Sequence, residues 1–172
     1  MRRPKPNLLD ENSLYDYAVG ALSRRMRSVA ELKRLMRNRC PDEAIIEEVV
    51  ARLKDRKYLN DSSYASAYSA FRRDNQKFGR RRVVTDLKIK GIHSSVIEKA
   101  VEEAYSEVDE AALARAFLRR KRLKKPGNRK DAARIFRALA RAGFGVGTSL
   151  QVLKAWEVDE EVLQALEEGL VE

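Results

Sequence analysis

Histidine and cysteine are the side chains most often recruited for proton transfer, nucleophilic attack or metal binding near neutral pH. This chain of 172 residues holds one of each, His93 and Cys40. A zinc site takes three or four such ligands, and an activated thiol needs a base beside it, so the pair makes neither. Gly143-Phe144-Gly145-Val146-Gly147 has the glycine density of a phosphate-cradling loop. It follows a helical pattern rather than a strand, however, and no Lys-Ser/Thr comes after it. Gly143 is better read as the stop of one helix and Gly147 as the lead-in to a capping box from Thr148 to Gln151. No catalytic group, metal or cofactor is expected.

The residues whose number and spacing do suggest chemistry are basic. Lys and Arg total 36 against 26 Asp and Glu, for a net charge of +10. Such a surplus points to an acidic partner, nucleic acid first, with plain solubility as the alternative. Distribution favours the partner. Arg24 to Arg39 holds seven basic residues and one acid, Glu31; Lys77 to Lys90 holds six and one, Asp86; Arg115 to Arg141 holds twelve and one, Asp131. Between these runs lie the acids Glu43, Glu47 and Glu48, then Glu98, Glu102, Glu103 and Glu107. The expected contact residues are Arg34 and Arg37 in the first run, Lys77, Arg80, Arg81, Arg82, Lys88 and Lys90 in the second, and Arg129, Arg134 and Arg137 in the third.

Three runs need three equivalent elements to carry them, and the apolar residues supply the pattern. Leu35, Leu87 and Leu139 are 52 residues apart each time, as are Leu32, Val84 and Phe136, Cys40, Ile92 and Phe144, and Val49, Val101 and Leu153. A fixed period of this length marks tandem repeats whose units complete each other's cores. Within the middle unit, Asn60 or Asp61 caps a first helix with Tyr64, Ala65, Tyr68 and Phe71 on its buried face. Gly79 precedes a second helix that Gly91 ends, and Ser95 with Glu98 forms a capping box for a third. Ser28 with Glu31 forms another box, and Asn128 with Asp131 a looser one. First and second helices are expected to be basic, third helices acidic. Phe78 is either a staple on the second helix or an exposed contact. The expected fold is all-α: three tandem three-helix, helix-turn-helix-like repeats in an elongated curved array. The expected organisation is a flexible basic arm over 1–9, repeats over 10–60, 61–109 and 110–157, and an acidic helix or tail over 158–172.

One set of residues also resembles a known family. Tyr58-Leu59-Asn60-Asp61, Tyr64-Ala65, Tyr68, Arg72, Phe78-Gly79-Arg80-Arg81-Arg82-Val83, Asp86-Leu87 and Lys90-Gly91-Ile92 are similar to the signature of the RecX family, bacterial regulators of the RecA recombinase. Asn60 stands where that family usually has an acid, and Cys40 where it often has Gly or an apolar residue. The resemblance implies three three-helix repeats and binding in the groove of the RecA–DNA filament, with inhibition of its ATPase, strand exchange and growth.

Two other readings stay open on the sequence: a DNA-binding protein that grips phosphates without sequence preference or recombinase specificity, and a structural adaptor whose charge serves solubility. No run of 18 apolar residues suggests a membrane span. A single cysteine suits a reducing cytoplasm, where the chain is expected as a monomer.

Overall fold

Asx residues start each first helix. Asp10, Asn60 and Asp109 precede α1 (Glu11–Arg24), α4 (Asp61–Gln76) and α7 (Glu110–Arg120). Each accepts at least one backbone amide of the opening turn, such as Ser13 N at 2.8 Å from Asp10 Oδ1 and Ser62 N at 2.9 Å from Asn60 Oδ1. Those donors would otherwise lack an intrahelical acceptor. Asp61, the alternative cap for α4, instead takes the amide of Val29 at 2.9 Å.

Second helices follow as α2 (Val29–Arg37), α5 (Arg80–Ile89) and α8 (Arg129–Arg141), and third helices as α3 (Glu43–Asp55), α6 (Ser94–Tyr105) and α9 (Val146–Lys154). A tenth, α10 (Glu160–Glu168), closes the series. The computed structural model describes residues 9–169, and among them there is no strand. Residues 1–8 of the expected arm and 170–172 of the tail lie outside the described residues. Leu9 donates its amide to the Arg39 carbonyl at 2.9 Å and packs on the first core.

Two predicted caps are replaced. His93, directly before α6, receives the Ser95 amide on Nδ1, and its carbonyl receives Ile97 N, so the helix opens ahead of the expected Ser95–Glu98 box. At α9 the N-cap is Gly145, without a side-chain cap, and Thr148 donates its hydroxyl to Glu110 instead. The Ser28–Glu31 box forms as expected, with both reciprocal hydrogen bonds at 3.1 Å. Asn128 caps α8 through the Asp131 amide.

The chain gathers into two compact units. One runs through Ala65 and includes Leu87–Ile97; the other takes Ser66–Asp86 and everything from Glu98. The division falls inside α4, α5 and α6, so each of these helices has part of its length in either unit. In the first unit, Leu14, Leu32, Met36, Ile46, Val49 and Leu53 are wholly buried. In the second, Leu118, Ile135, Leu139 and Leu153 are equally buried, with Phe117 and Phe144 against them.

The repeat register holds with one adjustment. Cys40, Ile92 and Phe144 are all buried, as are Val49, Val101 and Leu153. In the second helices the sealed positions are Leu32 with Met36, Val83 with Leu87, and Ile135 with Leu139. Leu35 and Val84 are only half-buried. The step from the first repeat to the second is therefore one residue short of 52 along these helices. Phe71, expected inside, is 52% exposed, and Ser69 takes the buried position on α4. Phe78 settles against the third repeat, its ring centroid 6.2 Å from that of Phe117, while its carbonyl receives the Tyr105 hydroxyl at 2.9 Å. Burial pushes the Tyr105 phenol well above its ordinary pKa, so it remains a donor.

Candidate nucleic-acid interface

The buried positions of the second helices dictate what their other faces show. On α8, Ala132, Ile135, Phe136 and Leu139 are buried, which turns Lys130, Arg134, Arg137 and Arg141 outward at the i, i+4, i+7, i+11 positions of one stripe. On α5, Val83 and Leu87 face in while Arg81, Thr85 and Lys88 are exposed. On α2, Leu32 and Met36 face in while Arg34 and Arg37 are exposed. Each second helix thus presents cations on the face opposite its core.

The eleven expected contacts separate by what they touch. Arg34, Arg81, Lys88, Arg129 and Arg137 are exposed and enter no ion pair among the described residues. Arg37 is exposed but holds Glu43 with two hydrogen bonds, at 2.5 and 3.0 Å. Those bonds keep the Glu43 carboxyl below its ordinary range. Arg80 is paired with Glu102, and Arg134 sits 3.3 Å from Asp131. Pairs this exposed can exchange a carboxylate for a phosphate at little cost.

Three of the eleven are built into the fold. Arg82 donates Nε to Asp86 at 2.9 Å and lies 5.8 Å from the centroid of the Phe78 ring. Asp86 is only 9% exposed and also accepts from the Tyr68 hydroxyl at 3.0 Å, with Arg72 at 3.2 Å. This buried acid anchors two guanidiniums, and one of them, Arg82, was expected on DNA and keeps 46% of its side chain exposed. Lys90 lies in the other unit, 3.0 Å from Glu31 and 5.7 Å from the Tyr64 ring centroid. Burial opposes the charge on Glu31, but hydrogen bonds from Lys90 and the Ser28 amide outweigh it and hold the carboxyl below its usual range. Lys77 ends α4 with φ of 58°, a left-handed stop in which Phe78 N returns to Arg72 O at 3.1 Å.

Lys130 and Arg141 complete the α8 stripe and were missed, although their spacing from Arg134 and Arg137 was readable. The alternation of charge between helices also has an exception. Glu43, Glu47 and Glu48 line α3 and Glu98, Glu102 and Glu103 line α6, but α9 carries Lys154 and no acid. First helices are not basic as a class, since α1 carries Glu11 and Asp16 against Arg24. The positive surplus therefore concentrates on the end of α7, the segment after it, and α8.

Comparison with known proteins agrees on this architecture. Residues 15–53 match the model of the RecX first three-helix domain, and residues 60–101 that of the second. The chain is 34% identical over 145 residues to regulatory protein RecX of Thermus thermophilus, covering 84% of this chain and 91% of that one. It is 31% identical over 170 residues to the Myxococcus xanthus protein, covering 88% and 90%. With the Geobacillus thermodenitrificans protein it shares 30% over 135 residues, 76% of this chain but 49% of the relative, so it spans about half the length of some relatives that it matches. Among solved structures, a regulatory protein RecX superposes with a TM-score of 0.67 at 20% identity, covering 84% of this chain and 73% of that one. RecX from Lactobacillus salivarius gives 0.66 at 22%, covering 86% and 96%.

Helices in repeats of three, with cations on the outer faces of the second helix of each, define an all-α tandem-repeat regulatory protein. The chain belongs to the RecX family.

Proposed function

We propose that this chain binds the RecA–DNA filament and restrains its ATPase, strand exchange and growth, acting as a cytoplasmic monomer without catalysis of its own. The observation that carries the reading is the set of exposed cations on the second helices: Arg34, Arg81, Lys88, Arg129 and Arg137 without ion pairs among the described residues, and the α8 stripe from Lys130 to Arg141. Phosphates of filament-bound DNA are the complementary partner, and the family supplies the recombinase. Domain boundaries near residues 60, 109 and 157 fit this reading, with one basic second helix in each repeat.

The test measures DNA-dependent ATP hydrolysis by the cognate recombinase. The wild-type chain is expected to inhibit at concentrations well below that of the recombinase, and Arg134→Glu with Arg137→Glu to weaken inhibition at least tenfold without loss of helicity. On duplex DNA the same pair should flatten the salt dependence of binding by about 0.9 log units per lost phosphate contact. Inhibition seen only at strand-saturating concentrations, and abolished by excess DNA, would replace this reading with direct DNA binding.

A further inference from the structure

Most large apolar side chains in the first unit are sealed into its core; Ile89, at 71% exposed, is not, nor are two others that lie together. Met26 is 55% exposed and Tyr58 57% exposed. Two grooves of about 420 and 370 Å³ adjoin there and share Leu22 and Tyr58 as walls. Val19, Leu22 and Ser23 fall at i, i+3 and i+4 on one face of α1, and Met26 continues the series just beyond the helix end. Val19 and Leu22 rest one edge on the core and leave the other to solvent. Tyr58, from the turn between α3 and α4, stands beside them.

Charge specifies what covers this surface. The groove walls include Arg27 and Lys57 and no carboxylate. In the sequence beside these two, Arg24, Arg25, Lys54 and Arg56 are exposed, with Asp55 as the one acid in those two short stretches. None of the six cations is in an ion pair among the described residues. A nucleic acid would satisfy the cations but would set the hydrogen-bonding edges of its bases against Val19, Leu22 and Met26. An acidic helix with an apolar face satisfies both parts, because its i, i+3/i+4, i+7 side chains meet the groove while its carboxylates meet the rim. Methionine and tyrosine suit such a surface: one repacks easily, and the other gives a large contact with few torsions to freeze.

We infer that the groove formed by Val19, Leu22, Met26 and Tyr58 is a docking site for an acidic amphipathic helix of a protein partner. It shares no residue with the basic faces of the second helices, and the inference stands whether or not those faces bind filament DNA.

The full-length chain is titrated against three fluorescein-labelled probes at about 0.15 M salt, where exposed charge alone is well screened. One is a synthetic peptide with Leu at i, i+3/i+4, i+7 spacing and Glu elsewhere; the second permutes the same composition to scatter the Leu residues; the third is a thymidine oligonucleotide. The amphipathic peptide is expected to bind at least tenfold more tightly than its permutation. Met26→Asp and Tyr58→Ser should each cut that binding at least tenfold, while Arg137→Glu leaves it unchanged. Both substituted residues are exposed, and an unchanged thermal midpoint confirms that the fold is retained. Equal binding of the two peptides, indifference to both substitutions, or an oligonucleotide whose binding alone depends on Tyr58 overturns the inference.

Discussion

Two junctions between second helices differ in chemistry. In one unit the start of α2 meets the end of α5. Ser28 Oγ donates to the Lys90 carbonyl at 2.6 Å, the Lys90 ammonium reaches Glu31, and Gly91, with φ of +75°, leaves no room for a Cβ beside that of Ala30. In the other unit the start of α5 meets the end of α8 chiefly through backbone, with one long side-chain hydrogen bond, Arg82 Nη1 to Arg141 O at 3.5 Å. Gly79 N donates to Ala142 O at 2.8 Å, Arg81 N to Gly143 O at 3.2 Å, and a Cβ on Gly79 would sit 2.5 Å from the Gly143 carbonyl carbon. One contact is fastened by side chains that can adjust, the other chiefly by main chain that cannot. A tandem repeat thus does not imply repeated chemistry at its joints.

The sharpest break of that comparison is at the glycines. Gly143→Ala sets a side chain in a left-handed residue (φ +92°) against the Arg82 backbone, and should cost about 2–5 kcal/mol in chemical denaturation. Gly91→Ala should cost less, and Ala30→Gly should restore part of it, because the obstruction there is a methyl group. Equal losses without rescue would show that the two joints are alike.

Next in size is Asp86→Ala, which leaves Arg72 and Arg82 without their partly buried partner and is expected to cost about 3 kcal/mol. Arg72→Met with Asp86→Leu should recover much of it. A cost below about 1 kcal/mol for Asp86→Ala would mean that the cluster is ornamental to stability.

Lys77→Gly has the opposite sign. Relief of the left-handed backbone at Lys77 should stabilise the chain by about 1 kcal/mol while removing a cation. A lower melting midpoint would show that the lysine side chain is needed where it stands.

The smallest effect is a pH dependence peculiar to the side-chain junction. The folded Glu31 carboxyl lies below its ordinary 4.5, so its stabilisation is present above that value and is lost as pH falls through the folded pKa. The folded Lys90 ammonium lies above its ordinary 10.5, so its stabilisation is complete below that value and is lost as pH rises further. Glu31→Gln should therefore narrow the gap in stability between pH 7 and pH 3, as measured by urea unfolding, whereas Thr85→Ser should leave it unchanged.

Periodicity made the helices, their order and most core positions legible, because burial repeats with the fold. Side-chain partners were not legible to the same degree. Arg80, Arg81 and Arg82 are adjacent and chemically identical, yet one pairs with Glu102, one faces solvent, and one turns in to Asp86. A helix advances about 100° per residue, so neighbours in sequence face different surroundings. Asp86 was the available signal: a lone acid in a basic run, on the buried side with Val83 and Leu87. Phe71 misled for the same reason, since an apolar side chain at helical spacing does not reveal whether anything packs opposite it. The one-residue slip at Leu35 was hidden because Leu35 and Met36 are both apolar.

The backbone joint at Gly79 has an electrostatic consequence. The first amides of a helix carry a partial positive charge and commonly hold phosphate. At α5 two of these amides are met by the Ala142 and Gly143 carbonyls, just past the end of α8. A phosphate approaching Arg80–Arg82 therefore finds the Gly79 and Arg81 amides already donating to carbonyls. Anion affinity at this turn rests on guanidinium side chains, and the unpaired Arg81 carries more of it than either neighbour.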